Sequence, residues 1–113
     1  QVVFDRATGL RWQQGGSDEY MTLVQAQEYV AEMNSKKLGG YANWRLPTVE
    51  EAMSLMEPRK SGDLYIDKIF DRRQRWIWTS DKYAPGAAWV VSFYGGSCYH
   101  LGVGYDLYVR LVR

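Results

Sequence analysis

The chain has 113 residues, a formal net charge of +1 and a hydrophobic share of 46%. This length is typical of one domain with its own core, so we expect a single domain over residues 1–113. The near-even charge does not favour nucleic-acid binding, which usually needs a basic excess, and no stretch is apolar for long enough to insert into a bilayer.

The chain opens with a predicted hairpin and helix. Residues 2–4 and 10–12 are short apolar runs on either side of a glycine-containing turn, which is typical of two paired strands. Thr22 and Gln25 have the spacing of a capping box, which predicts a helix over residues 22–34. Apolar residues recur along this helix at helical spacing, so we expect it to cover a sheet.

A second helix and several strands follow. Thr48 and Glu51 form another capping box, and Pro58 is expected to end this helix because proline cannot continue the hydrogen-bond ladder. Helices followed by a run of strands indicate an α+β fold. The later strands are predicted at residues 76–79, 88–93 and 108–113.

Five short motifs are spread over nearly the whole chain. They are Phe4-Asp5-x-x-Thr8-Gly9-Leu10-x-Trp12, Leu38-Gly39-Gly40-Tyr41-x-Asn43-Trp44-Arg45-Leu46-Pro47-Thr48, Trp78-Thr79-Ser80, Ala88-Trp89-x-Val91-x-Phe93 and Tyr108-Val109-Arg110-x-Val112-Arg113. In this order they resemble the C-terminal domain of bacterial collagen-like adhesins, the Lcl C-terminal family.

The resemblance implies a C-type-lectin-like fold of the formylglycine-generating-enzyme branch. In that fold two helices pack on a twisted antiparallel sheet, and the N- and C-terminal strands pair. The resemblance also implies that a set of framework side chains is scaffold: Trp44, Arg45, Pro47, Trp78, Trp89 and Arg110.

In C-type-lectin-like folds the ligand surface is built from the later strands and their loops, here residues 92–107. This segment is rich in Tyr, Ser and Gly, which in antibody paratopes provide stiff aromatic contacts and adaptable hydrogen bonds. Ordinary strand and turn residues are the alternative interpretation. We expect the contacts to a macromolecular ligand, protein or glycan, to be Tyr94, Ser97, Tyr99, His100, Val103, Tyr105, Asp106 and Leu107, with Trp76 and Tyr83 at the rim.

The same segment contains no Lys, Glu, Gln, Met or Trp, although Lys and Glu are common in proteins. All its residues can be encoded by codons that end in a pyrimidine, and random replacement of adenines in asparagine codons would leave this signature. The chain thereby resembles the variable proteins of diversity-generating retroelements. Our hypothesis is a diversified display domain whose unvaried end is residues 108–113.

Sulfated-polysaccharide binding is the alternative function, because the adhesins of the family attach to such polymers. Lys68, Arg72, Arg73 and Arg75 form a basic cluster, and arginine forks suit sulfate. Aspartates interleave with these residues, so a solvated mixed-charge loop remains the competing interpretation.

We expect no catalysis, metal or cofactor. Formylglycine-generating enzymes use paired cysteines, whereas this chain has one cysteine, Cys98, and one histidine, His100. The calcium motif of classical C-type lectins does not occur either. The chain starts at Gln1 without a signal peptide, so we expect it to be part of a longer polypeptide, at the cell surface or secreted if adhesin-like, and cytoplasmic if joined to a signalling module.

Overall fold

The computed structural model describes all 113 residues and contains two α-helices and five strands. An N-terminal hairpin precedes the helices, and three strands occupy the second half of the chain, so the domain is α+β as predicted. None of its helices combines the length and apolarity needed to cross a bilayer. The elements are, in chain order, β1 (Val2–Asp5), β2 (Leu10–Gln13), α1 (Leu23–Ser35), a 3-10 turn (Leu38–Gly40), α2 (Val49–Met53), β3 (Trp76–Ala84), β4 (Ala87–Ser92) and β5 (Ser97–Gly102).

Helix α1 begins where its capping box predicts. The Thr22 hydroxyl accepts the N–H of Gln25 at 3.3 Å, and the Gln25 side chain accepts the N–H of Thr22 at 2.9 Å. These bonds satisfy donors that have no partner within the helix. Ala26 is fully buried, which places the apolar stripe of α1 against the core.

Helix α2 has the predicted start but not the predicted end. Thr48 and Glu51 form the reciprocal capping bonds at 3.1 and 2.9 Å. The expectation that the helix continues to Pro58 is wrong, because α2 has only five residues. Beyond it, the N–H of Glu57 donates to the carbonyl of Tyr65 at 2.9 Å, which is not a helical hydrogen bond.

The strands form two antiparallel groups. β1 pairs with β2, and β4 lies between β3 and β5 in a three-stranded sheet. The β4–β5 register runs without interruption from the pair Ala87–Gly102 to the pair Ser92–Ser97. β5 is therefore a regular edge strand whose successive side chains point to opposite faces of the sheet.

The C-terminal residues 108–113 join the two groups of strands. Arg113 and Arg11 exchange both backbone hydrogen bonds at 2.8 Å, and on the other side Val112 and Arg45 do the same at 3.0 Å. The chain ends therefore pair, through β2 rather than through the first strand. Because the segment changes partner several times, it forms isolated bridges instead of the continuous strand that we predicted.

The three-stranded sheet packs against a hydrophobic core on each of its faces. Ile77 points into one core, which Ala52 of α2 covers. Trp78, the next residue, points into the other core, which Ala26 of α1 covers. The helices therefore lie on opposite faces, and we refer to the α2-side core and the α1-side core.

Most of the expected scaffold side chains are inside the domain. Arg45 is exposed, but its guanidinium binds the Glu51 carboxylate at 2.7 and 2.8 Å and so supports the start of α2. Trp89 is only half-buried. The buried members of the set are Trp44, Pro47, Trp78 and Arg110.

The guanidinium of Arg110 is fully buried without a carboxylate partner. It donates to the carbonyls of Gln13, Gln14 and Asp71 and to the side chain of Gln74. Burial lowers the pKa of Arg110 to about 9. The hydrogen bonds of the two terminal nitrogens offset part of this desolvation, while the buried Nε has no partner. They also fasten the polar segment after residue 70 to the N-terminal hairpin.

Candidate ligand-binding groove

A groove of about 840 Å³ lies on the α1 side of the three-stranded sheet. Its size is within the range of ligand pockets. One wall is the basic segment, which we define as residues 71–75, and the other is the end of β5 with the loop that follows. The lining consists of Tyr20, Asp71, Arg72, Arg73, Arg75, Trp76, Leu101, Asp106, Leu107 and Tyr108.

Long-range hydrogen bonds hold the basic segment in place. The Gln74 amide donates to the carbonyl of Ser17 at 2.9 Å, and the carbonyl of Arg75 accepts the N–H of Phe93 at 2.8 Å. Together with the Arg110 bonds, these contacts position the arginines on a fixed backbone. The side chains of Arg73 and Arg75 extend from this backbone to ion pairs with exposed carboxylates.

The opposite wall is fixed by Leu107. Its backbone exchanges hydrogen bonds with Met21 at 2.7 and 2.9 Å, and the next N–H, that of Tyr108, donates to the carbonyl of Trp76 at 3.0 Å. These bonds carry the loop after β5 across the end of the sheet. Asp106 is thereby placed at the rim, facing the basic segment across the groove.

The groove has mixed charge with an excess of cations. Arg73 pairs with Asp18 at 3.1 Å and Arg75 with Asp63 at 3.0 Å, and about half of each arginine side chain is exposed. Exposed ion pairs contribute only about 0–1 kcal/mol, so an incoming anion can replace the carboxylates at low cost. Arg72 differs, because its guanidinium donates to backbone carbonyls.

Two tyrosines form one end of the groove. The ring centroids of Tyr20 and Tyr108 are 4.6 Å apart. Desolvation raises the pKa of Tyr108, and the neighbouring Tyr20 hydroxyl raises it further. The Tyr108 hydroxyl therefore keeps its proton at neutral pH. No three His, Cys, Asp or Glu side chains converge closely enough to hold a metal ion.

Three of the predicted contact residues line this groove, and a fourth lies beside it. Trp76, Asp106 and Leu107 line it, and the Tyr99 ring packs against the Trp76 ring with centroids 5.5 Å apart and planes inclined by 31°. Leu107 requires a correction, because its side chain is only 8% exposed and packs in the α1-side core. It forms part of the groove floor and is not a free contact residue.

Two further predicted residues lie on the opposite face of the sheet. Tyr83 and His100 stack with ring centroids 3.7 Å apart and planes inclined by 2°, and Trp89 meets both edge-on. His100 follows Tyr99 on β5, so the two side chains point to opposite faces. The structure therefore does not bring Tyr83 and His100 to the groove.

The remaining predicted residues lie at the two ends of β5 and in the turns next to it. Tyr94 is exposed in the β4–β5 turn, near Lys60, and Ser97 is half-buried at the start of the strand. Val103 is half-buried against the α1-side core, and Tyr105 is exposed beside Gly102 at the other end of β5. Residues 92–107 therefore surround the edge strand instead of forming one continuous patch.

The family model of the Lcl C-terminal domain matches residues 1–113. The chain belongs to the Lcl C-terminal domain family. The family expected from the five sequence motifs is thus confirmed, and the match covers the whole length of this Lcl C-terminal domain. No curated protein matches the chain.

Sequence reasoning missed four residues of the groove in this Lcl C-terminal domain as site residues: Tyr20, Asp71, Leu101 and Tyr108. It also treated the arginines of the basic segment as a site separate from residues 92–107, whereas both line one groove. Tyr20 is more than 50 residues away from the basic segment in the chain. No local pattern signals that proximity, which arises from the pairing of Met21 with Leu107.

Proposed function

We propose that this domain is a non-enzymatic, adhesin-like ligand-binding domain that binds an acidic polysaccharide, such as a sulfated glycan, in the groove. The observation that carries the proposal is the arrangement of three arginines and three aromatic side chains around one groove. The sequence suggested ligand binding by residues 92–107 and sulfated-polysaccharide binding by the basic cluster as alternatives. The proposal combines them, because the basic segment and the end of residues 92–107 line the same groove.

The chemistry of the lining suits a sulfated sugar chain. Arginine presents a planar fork of donors that matches the oxygens of sulfate or carboxylate. Trp76 and the Tyr20–Tyr108 pair offer flat apolar faces with polar edges. The Asp106 carboxylate can accept hydrogen bonds from sugar hydroxyls, and the Tyr108 hydroxyl can donate one.

Two of the arginines, Arg73 and Arg75, are the anion-binding groups in this proposal. Their carboxylate partners, Asp18 and Asp63, are exposed, and water weakens these ion pairs. A multiply charged polymer would replace both carboxylates at once. We therefore expect binding to weaken with increasing salt.

The test is a double variant, Arg73→Gln with Arg75→Gln, titrated calorimetrically with a heparin-derived octasaccharide and with its unsulfated counterpart. The matched control is Arg6→Gln, an exposed arginine outside the groove. We expect the double variant to lose at least about tenfold in affinity, or about 1.4 kcal/mol, and the control to be unchanged. Unaltered affinity of the double variant, or equal binding of the unsulfated sugar, would refute the proposal.

A diversified variable protein is the second candidate. The observation in its favour is that most of the predicted contact positions are exposed, so their replacement would change stability little. Buried Ser92, Phe93 and Leu107 would tolerate replacement poorly. Gene sequences decide this candidate: a template repeat with adenines at the exposed positions supports it, and its absence together with that of a reverse transcriptase removes it. The exposed positions are Tyr94, Tyr99, His100, Tyr105 and Asp106.

We also propose that the fold is C-type-lectin-like, of the formylglycine-generating-enzyme branch. The pairing of the chain ends and the helices on both faces of an antiparallel sheet support this assignment. The only cysteine, Cys98, is half-buried against the α2-side core, which favours a packing role over catalysis. An experimental structure that superimposes neither on C-type-lectin-like domains nor on formylglycine-generating enzymes would contradict the assignment.

A further inference from the structure

We propose that the free edge of β5 is a self-association surface, at which the domain pairs antiparallel with β5 of a second copy around a two-fold axis at Tyr99. β5 is the last strand of the three-stranded sheet and pairs only with β4. The groove is formed by side chains, whereas this inference concerns the backbone at the edge of the sheet. It therefore does not rest on the proposed function.

The backbone of β5 alternates between β4 and solvent. The N–H of Val103, one residue beyond the strand, donates to the carbonyl of Gly86 at 2.9 Å and so points towards β4. In an antiparallel ladder every second residue exchanges hydrogen bonds with the partner strand, and the residues between them turn their N–H and C=O groups away. The residues of β5 that turn away from β4 are therefore Cys98, His100 and Gly102.

The outward-facing groups in the middle of the strand have no backbone partner. Outside the β4–β5 ladder no backbone hydrogen bond involves Cys98 or His100. The carbonyl of Cys98 accepts only the Ser97 hydroxyl, at 3.5 Å. The carbonyl of Gly102, by contrast, accepts the N–H of Tyr105 at 3.1 Å. The open part of the edge therefore runs from residue 98 to residue 100.

This edge has none of the features that usually keep sheets apart. Natural edge strands are protected by lysine or other charged residues, by proline, or by bulges. Residues 92–105 contain no Lys, Arg, Asp, Glu or Pro, and the β4–β5 register has no shift. β3, by contrast, has two register shifts and contains Asp81 and Lys82. The free edge of β5 is therefore a template for a further strand.

A second copy of this chain fits the edge because the edge is complementary to itself. When two copies pair around a two-fold axis at Tyr99, Cys98 of each copy lies opposite His100 of the other. Each such pair exchanges both N–H···O bonds, which occupies all the outward groups of the open part of the edge. No charged side chain of the strand opposes an identical copy.

The pairing would join the two three-stranded sheets into one. A two-fold axis perpendicular to the sheet keeps the α1-side faces of both copies on the same side, so both grooves open in the same direction. A ligand long enough to reach both grooves would bind bivalently. Because the strand has only six residues, the interface is small, and we expect a reversible dimer with micromolar or weaker affinity.

Sedimentation equilibrium between micromolar and millimolar concentrations, with a reducing agent present, tests the pairing. We expect a reversible monomer–dimer equilibrium for the native domain. His100→Pro removes an outward N–H without removing a bond to β4, so it should weaken the dimer at least about tenfold. His100→Thr is the matched control, because it changes the side chain, keeps the N–H and should dimerise as the native domain does. A monomeric native domain, or equal weakening by both variants, would overturn the proposal.

Cross-linking tests the register and does not depend on the fold of the proline variant. With the axis at Tyr99, the two copies of this residue are directly opposed with Cα atoms about 4.5 Å apart, which is within disulfide range. Tyr99→Cys combined with Cys98→Ser should therefore form an intermolecular disulfide on mild oxidation. Tyr105→Cys in the same Cys98→Ser background should not. Equal cross-linking of both variants, or none with Tyr99→Cys, would overturn the proposal.

Discussion

The Tyr99 ring packs against the Trp76 ring with centroids 5.5 Å apart and planes inclined by 31°, so an exposed residue of the edge strand contacts an aromatic side chain of the groove. Tyr99 is 40% exposed. The contact links the predicted ligand segment to the groove, and it provides the most direct test of which tyrosines bind.

We predict that Tyr99→Ala weakens ligand binding about tenfold, because it removes one ring at the rim and exposes Trp76. Stability should fall by only about 0.5–1.5 kcal/mol, the usual value of one aromatic pair. Calorimetric titration with the sulfated octasaccharide and urea denaturation measure the two effects. Tyr105→Ala is the control, since Tyr105 is 62% exposed and, unlike Tyr99, makes no ring contact with Trp76. Equal loss of affinity in both variants would place the ligand along the whole of β5.

We predict that His100→Ala leaves binding in the groove unchanged. His100 stacks on Tyr83 on the opposite face of the sheet, so its removal does not reach the groove lining. The same titration measures the effect. A loss of affinity comparable to that of Tyr99→Ala would show that the ligand surface extends over both faces, as the sequence analysis expected.

We predict that the Arg45–Glu51 pair stabilises the domain in a pH-dependent manner. The hydrogen bond from Arg45 lowers the pKa of Glu51 from 4.5 to about 2. Since the folded-state pKa is the lower one, the stabilisation is complete above pH 4.5 and is lost as the pH falls towards 2. Glu51→Gln should cost about 1 kcal/mol at neutral pH, a typical value for an N-terminal cap with a surface ion pair.

Urea denaturation between neutral and acidic pH measures this effect, and the difference between Glu51→Gln and the native protein should vanish at the acidic end. Glu50→Gln is the matched control, because Glu50 lies beside Glu51 in the first turn and is exposed. A difference in the free energy of unfolding that does not change with pH would mean that the capping hydrogen bonds, and not the charge of Glu51, stabilise the domain.

We predict that Gly16→Ala destabilises the domain by about 1–3 kcal/mol, the range for overpacking. A methyl group at Gly16 would collide with the backbone carbonyl of Val109, which cannot move without disturbing the hydrogen bond from Ser17 to that carbonyl. Gly104→Ala is the control, since nothing lies within 4 Å of a methyl group there. Thermal unfolding of both variants measures the difference; similar melting temperatures would contradict the close approach.

Features that depend on short sequence separation were predictable. The capping boxes at Thr22 and Thr48 formed as expected, because the groups involved are three residues apart and meet whenever the chain is helical. The five motifs identified the family, and the order of helices and strands indicated the α+β class. The sequence also identified the arginines of the basic segment and the exposed tyrosines of residues 92–107 as candidates for binding.

Only the tertiary structure decided how these pieces meet. The pairing of Met21 with Leu107 buries Leu107 and brings Tyr20 to the groove. The alternation of β5 separates Tyr99 from His100, and a bond from Glu57 to Tyr65 accompanies the early end of α2. The pairing of Met21 with Leu107 joins residues far apart in the chain, so its geometry depends on the packing of the entire core and not on any local preference.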